Sequence, residues 1–251
     1  MAIDLFTIGK FTVHGYGLMI GIGFALAMLI GGYRAKKLGL NEDYFTNIGI
    51  MLLVFGFMGG KLLFIIVNFK QFLASPMSVL GSEGFVVYGG IIVGILTIFI
   101  YCKLKKISFL DYMDVLAPSV ILCQGFGRIG CFLAGCCYGR PTDAWYGIVF
   151  PEGGLAPAGI KLIPTQLFSA GFDLAVAALL IIFARKLKYK GMVSGIYLFA
   201  YGLGRFIIEM LRGDEARGAV GTLSTSQFIS IFMILFALGY CYFSYKKKWE
   251  D

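Results

Sequence analysis

Long apolar runs alternate with short polar segments along the whole chain. Seven runs approach or exceed the length that carries a helix across a bilayer, about 20 residues. They cover residues 12–33, 45–68, 84–101, 112–135, 164–184, 192–211 and 226–245. The pattern predicts an all-α fold, a polytopic membrane protein with seven transmembrane helices. No polar stretch has room for a soluble domain, so residues 1–251 are expected to form a single integral membrane domain. The longest polar segment, 138–163, carries Pro141, Pro151 and Pro157 among several glycines and predicts a folded loop cap. The first run has no basic leader before it and no small-residue cleavage site after it, so it is expected to be a span rather than a cleaved signal.

Composition agrees with the pattern. Hydrophobic residues make up 59% of the chain and charged ones 14%, against roughly 25% charged in ordinary soluble proteins. Such a chain cannot cover itself with polar surface, and it is too apolar for disorder. Glycine, at 35 residues, suits close contact between membrane helices.

The net charge of +8 would suit nucleic acid, but its distribution does not. Thirteen of the 22 Lys and Arg fall in four clusters: Arg34, Lys36 and Lys37; Lys103, Lys105 and Lys106; Arg185, Lys186, Lys188 and Lys190; Lys246, Lys247 and Lys248. These follow spans one, three, five and seven, all on one side. Only Lys10, Lys70, Arg140, Lys161, Arg212 and Arg217 lie in the opposite loops. Basic loops stay cytoplasmic, so the N-terminus is expected outside, the C-terminus in the cytoplasm, and the 138–163 cap at the outer surface. The partner these clusters meet is the anionic bilayer surface; no nucleic acid is expected.

Ionisable groups inside spans are costly and mark function by default. Lys61, Arg128, Arg205 and Glu209 stand out. The segment 125–130 spells G-x-G-x-x-G, yet the dinucleotide fingerprint needs a strand–helix unit around it, and here it lies in an apolar span. Its glycines instead open space beside Arg128, whose planar fork suits a phosphate. Arg205 and Glu209 are one helical turn apart on one face, with Tyr201 a turn earlier. They fit either a helix-latching ion pair or an anion site whose arginine the glutamate holds. Lys61 suits a snorkelling side chain or a further cation of the site. Tyr16 and Tyr88 open spans one and three. They serve either as interfacial anchors or, with Gly89 and Gly90 thinning the helix beside Tyr88, as the wall of a lipid gap. Tyr16, Lys61, Tyr88, Arg128, Arg205 and Glu209 are expected to converge on the outer half of the bundle. The cavity so formed would carry a surplus of about two positive charges, for which a phospholipid phosphate is the natural guest.

The six cysteines admit three readings: small apolar residues within helices, a disulfide near the outer face, or a metal site. Cys131, Cys136 and Cys137 cluster, but C-x4-C-C lacks the paired spacing of zinc sites and the only histidine, His14, is remote in sequence. No metal and no cofactor are expected.

At these residues the chain resembles the prolipoprotein diacylglyceryl transferase family. The likeness is carried by His14-Gly-Tyr16-Gly, Tyr88-Gly-Gly, Asp114-Val-Leu-Ala-Pro118, Gly127-Arg128-Ile-Gly130 through Gly139-Arg140, Pro164-Thr-Gln166-Leu, and Tyr201-Gly-Leu-Gly-Arg205-Phe-Ile-Ile-Glu209. The resemblance implies a multi-pass protein of the bacterial cytoplasmic (inner) membrane with its active site toward the outer leaflet. It implies transfer of diacylglyceryl from phosphatidylglycerol to the lipobox cysteine thiol of a preprolipoprotein signal peptide, releasing glycerol-1-phosphate. By the match, Arg128 binds the phospholipid head and Arg205 stabilises the departing phosphate. Tyr16 shapes or polarises the site, Glu209 orients Arg205, and Gly139 allows a tight turn after span four. Tyr88 stands where many members carry a histidine. Cys131, Ala134 and Cys136 stand where they carry asparagine, asparagine and glutamate. The competing function is a transporter or flippase for an anionic lipid or solute, which also needs a cationic cavity but would require access from both faces.

Overall fold

The computed structural model describes residues 4–8, 11–82, 84–152, 155–184, 187, 189–213 and 218–246. Among the basic residues that set the topology, Lys10, Arg185, Lys186, Lys188, Arg217, Lys247 and Lys248 lie outside the described residues.

Seven long apolar helices dominate, as the hydropathy predicts. They are α1 (Gly15–Lys37), α2 (Glu42–Val67), α5 (Val87–Lys105), α6 (Phe109–Ala134), α7 (Thr165–Phe183), α8 (Met192–Leu211) and α9 (Thr225–Lys246). Large apolar side chains point outward along them, among them Leu29, Phe57, Val67, Leu179, Phe236 and Phe243. In water that surface would aggregate; in a bilayer it is the solvent-facing surface, and helices leave no backbone group unpaired there.

The boundaries differ from the hydropathy in two ways. Residues 12–14 are strand, not helix: β1 (Asp4–Ile8) and β2 (Phe11–His14) form an antiparallel hairpin that delivers the chain to Gly15. Several helices also run on into the basic clusters, so Arg34, Lys36 and Lys37 sit in the last turn of α1, and Lys103 and Lys105 in that of α5. Cations there face the negative end of the helix dipole. Two short helices, α3 (Phe69–Ala74) and α4 (Pro76–Gly81), link α2 to α5.

The chain divides into two compact units, Met1–Gly31 with Met113–Asp251, and Gly32–Tyr112. In the smaller unit α2 packs on α5. Asn41 caps α2, its side chain accepting from the N–H of Asp43 (2.7 Å) and Tyr44. Gly59 and Gly89 meet backbone to backbone: a Cβ added at Gly59 would lie 2.6 Å from the carbonyl oxygen of Gly89.

In the larger unit, Ala117, Ile121, Val176, Ala177, Leu180 and Val193 form an apolar core between α6, α7 and α8. Beside it, the carboxylate of Asp114 on α6 accepts from the N–H of Gly191 (2.7 Å) and from the N–H and hydroxyl of Ser194 (both 2.8 Å). It caps α8 from a neighbouring helix, which gives that charge its partners in an apolar setting. At the opposite end of α6 lies the 138–163 segment. β3 (Ile148–Val149) pairs with β4 (Lys161–Leu162), and Phe150, Ala156 and Leu162 pack with Phe132 and Tyr138. A last hairpin, β5 (Ala219–Val220) and β6 (Leu223–Ser224), leads into α9.

Candidate active site

One end of the larger unit gathers the start of α1, the end of α6, the starts of α7 and α9, and the end of α8. The tie between them is backbone. Gly139 donates to the carbonyl of Ile163 (2.8 Å), Arg140 to that of Leu211 (3.0 Å), and Gly213 to that of Tyr138 (3.2 Å). The strand-like segment 138–140 therefore lies between the segments at 163 and 211–213. A Cβ on Gly139 would meet Ile163 Cβ and the Ile163 carbonyl oxygen at 2.7 Å and the Leu211 carbonyl oxygen at 2.9 Å. This corrects one expectation: Gly139 has no positive φ and makes no turn, but is the point where three segments cross. The turn after span four is made by Gly135 (φ 70°) and Cys137 (φ 61°).

The arginines stand at this end. Arg205 Nη2 lies 2.9 Å from Glu209 Oε2, and the Glu209 side chain is only 1% exposed. Arg212 Nη1 approaches the same oxygen at 3.7 Å. Arg205 Nη2 also donates to Ser226 Oγ at 2.9 Å. One helical turn along α8 thus clamps Arg205 from one side, and the first turn of α9 clamps it from the other. Arg128 of α6 meets Arg205 around a small cavity lined by Ser169, Phe172 and Asp173 of α7 and by Tyr201, Gly204 and Ile208 of α8. Its volume is about 20 Å³, room for one water, which needs roughly 10–15 Å³.

Asp173 joins this cluster as a further candidate that the sequence reading does not single out. It is buried and faces Arg128 and Arg205 electrostatically. The signal was present, a lone carboxylate within an apolar run, which the rule that singled out Glu209 also covers. It enters the charge count. Among the described groups here, Arg128, Arg140, Arg205 and Arg212 stand with Asp173 and Glu209, four formal positive charges against two negative.

Tyr16, second residue of α1, packs on α6: a Cβ at Gly130 would lie 3.0 Å from its ring and 3.2 Å from its Cα. It feels the charges of Arg128 and of the three clustered cysteines. Four of the six converging residues, Tyr16, Arg128, Arg205 and Glu209, thus lie in this unit.

Lys61 and Tyr88 belong to the smaller unit. Lys61 Nζ donates to the Ser82 carbonyl at 2.6 Å and lies 3.4 Å from Ser82 Oγ and from the Gly84 carbonyl. It latches the approach to α5. Tyr88 sits in the first turn of α5, 45% exposed. The gap expected at Gly89 and Gly90 is filled by protein. Gly89 meets Gly59, and a Cβ on Gly90 would lie 2.7 Å from the Gly56 carbonyl oxygen. These glycines serve a helix crossing, not an opening for lipid.

All six cysteines are free thiols, so of the three readings of the cysteines the disulfide is not the one formed. Helix α6 ends in a Schellman motif: Cys136 N–H bonds the Cys131 carbonyl (3.1 Å), Gly135 N–H bonds that of Phe132 (3.2 Å), and Gly135 is left-handed. Cys131 and Cys136 take the two positions that usually make the motif's apolar contact. The left-handed Cys137, uncommon for a side-chain-bearing residue, brings in a third sulfur. The three Sγ atoms lie within 4.8 Å of one another. Hydrogen bonds from Cys131 and Cys136 hold the Cys137 thiol far below the usual range, helped by Arg212 and Arg128; the same sharing pushes Cys136 up. Cys136, Cys137, Tyr138 and Gly139 line a second, open cavity of about 630 Å³, together with Pro141, Leu155 and Leu162. That is within the range of small-molecule sites, roughly 300–1,000 Å³.

Seven helices long and apolar enough to cross a membrane thus carry a buried cluster of arginines and carboxylates. The family model for prolipoprotein diacylglyceryl transferase matches residues 4–243, and the chain belongs to that family. It is 46% identical over 236 residues to a phosphatidylglycerol–prolipoprotein diacylglyceryl transferase of Clostridium tetani, covering 93% of this chain and 94% of the relative. A second such transferase, from Clostridium perfringens, is 45% identical over 94% and 92% of the two chains. One from Clostridium botulinum is 32% identical over 97% of each.

Proposed function

We propose that this protein transfers the diacylglyceryl group of phosphatidylglycerol to the lipobox cysteine thiol of a preprolipoprotein, in the bacterial cytoplasmic membrane, with the Gly139 end of the larger unit toward the outer leaflet. The observation that carries the reading is the buried Arg205–Glu209 pair facing Arg128 and Asp173.

Breaking a carbon–oxygen bond to phosphate leaves negative charge on the departing oxygen. Donors fixed in place before the reaction, in a site with little water, stabilise that charge most. Arg205 is so fixed, by Glu209 and Ser226. Arg128 binds the phospholipid phosphate and Tyr16 shapes the site beside it; the Tyr88 hydroxyl takes part in the transfer. The small cavity between the arginines admits one water, so the phosphate displaces that water and the side chains part to receive it. The larger cavity at Cys136, Cys137 and Gly139 has the volume for a head group or an acceptor thiol.

The test is the purified protein with phosphatidylglycerol and a lipobox peptide. The expected result is a thioether-linked lipopeptide with glycerol-1-phosphate in equal amount. Absence of the thioether, with the lipid merely moved between vesicle leaflets, would replace transfer by transport.

A further inference from the structure

We propose that Cys131, Cys136 and Cys137 form a binding site for a thiophilic divalent metal ion, zinc by its coordination chemistry. Its fourth position faces the 630 Å³ cavity and takes the acceptor thiol. The metal site stands on the cluster's own geometry; the role of the fourth position rests on the transferase reading.

Three observations carry the site. First, the sulfurs are already gathered, all within 4.8 Å of one another. Tetrahedral zinc with Zn–S near 2.3 Å places its sulfurs about 3.8 Å apart, so closure on the ion asks for movements of at most about 1 Å. Second, the backbone is shaped to gather them. The Schellman closure brings Cys131 to Cys136, and the left-handed Cys137 adds the third sulfur, although a residue with a side chain rarely adopts that conformation. Third, the ligand-bearing backbone is held from outside. Gln166 Nε2 donates to the Cys136 carbonyl at 2.7 Å and Thr165 Oγ1 to the Cys137 carbonyl at 2.8 Å, and both residues are 1% exposed. Outer groups of this kind set ligand orientation in metal sites.

Three protein ligands and one open position are the pattern of a reactive zinc site, whereas structural sites close with four. The opening is available because Cys136 and Cys137 form part of the cavity wall.

The chemistry balances without an oxidant. A thiol that binds the metal gives up its proton. The sulfur lone pair then forms the S–C bond to the glyceryl carbon as the C–O bond to phosphate breaks. The electron pair leaves on the phosphate oxygen beside the arginines, and the released proton ends on glycerol-1-phosphate. The thioether product is neutral, binds the metal poorly and departs. A metal-held thiolate also removes the need for a strong base, in a chain with tyrosine at 88.

The experiment uses the full-length protein purified anaerobically without chelator, with metal content measured by mass spectrometry and site geometry read from cobalt(II). Near-stoichiometric zinc, and a thiolate-to-cobalt charge-transfer band that is absent in the Cys131→Ser, Cys136→Ser, Cys137→Ser triple variant, support the site. Thr165→Val, which leaves all three sulfurs, should weaken metal affinity by roughly 10–100-fold. A shift of the cobalt spectrum on adding a lipobox peptide, but not its serine analogue, supports the open position. Cobalt that binds the wild type no better than the triple variant overturns the site. A Cys131–Cys136 or Cys136–Cys137 disulfide in anaerobic protein also overturns it. Metal-free protein that makes thioether at the full rate overturns the role while leaving the transferase reading intact. Metal-loaded protein that makes no thioether counts against the transferase reading and leaves the metal site standing.

Discussion

Glu209 holds Arg205 at 2.9 Å across one turn of α8, from a position with almost no contact with solvent. Loss of an orienting ion-pair partner that contributes about 1.4–2.7 kcal/mol to the transition state lowers the rate roughly 10–100-fold. Glu209→Gln keeps the shape and removes the charge. Its kcat with phosphatidylglycerol and a lipobox peptide should fall by about that factor, while detergent-extracted protein stays monodisperse. An unchanged kcat would make the pair a helix latch only.

If Arg128 and Arg205 clamp a phosphate, they do so through the fork of the guanidinium, which lysine cannot reproduce. Arg128→Lys and Arg205→Lys should insert and fold yet lose roughly 100–1,000-fold in turnover, as when one preorganised donor is removed from an anion hole. Turnover close to wild type in either variant would end the phosphate-clamp argument.

Asp173 and Glu209 serve the same arginine cluster from two helices. Groups that share a network do not act independently, and coupling of roughly 0.5–3 kcal/mol is usual. The double variant Asp173→Asn with Glu209→Gln should therefore depart from the sum of the single effects on log(kcat/KM). Strict additivity would place Asp173 outside the site.

Tyr88 opens α5 with its side chain 45% exposed. If its hydroxyl takes part, Tyr88→Phe slows transfer strongly at normal expression and Tyr88→His recovers part of the rate, since imidazole also donates and accepts. Full activity in the phenylalanine variant would reduce the position to an interfacial ring.

Orientation is tested by labelling single cysteines with an impermeant reagent, in a background without the native six. Leu155→Cys, on the highly exposed cap, should react in intact cells. Lys190→Cys, in a basic cluster, should react only after permeabilisation. The reverse order would turn the site toward the cytoplasm, away from exported lipoproteins.

The spans were legible because a bilayer imposes one length and one polarity on every crossing helix. The ion pair at 205 and 209 was legible because helical spacing alone brings the two together. The partners of Lys61 were not legible, because Ser82 and Gly84 lie in a linker whose course hydropathy does not encode. Gly89 and Gly90 read as open space because a glycine looks the same in sequence whether a lipid or another helix takes the room. The thiol cluster was set aside on spacing, which describes loops of the C-x2-C kind. Here a helix terminus and one left-handed residue do the gathering, and neither has a spacing rule.

The crossing at Gly139 has a consequence for how the protein is made. Its backbone bonds join residue 139 to 163 and residue 140 to 211, so the knot closes only after six of the seven helices have been synthesised. Arg128 enters the membrane on the fourth helix, ahead of Asp173 on the fifth and Glu209 on the sixth. An early nascent chain therefore carries an arginine whose carboxylate neighbours do not yet exist. Until they arrive, the cost of that charge in the membrane, about 2.5–3.5 kcal/mol on insertion scales, is offset only by the apolar residues of its own helix. The order of synthesis makes the arginine pocket one of the last parts of the protein to become complete.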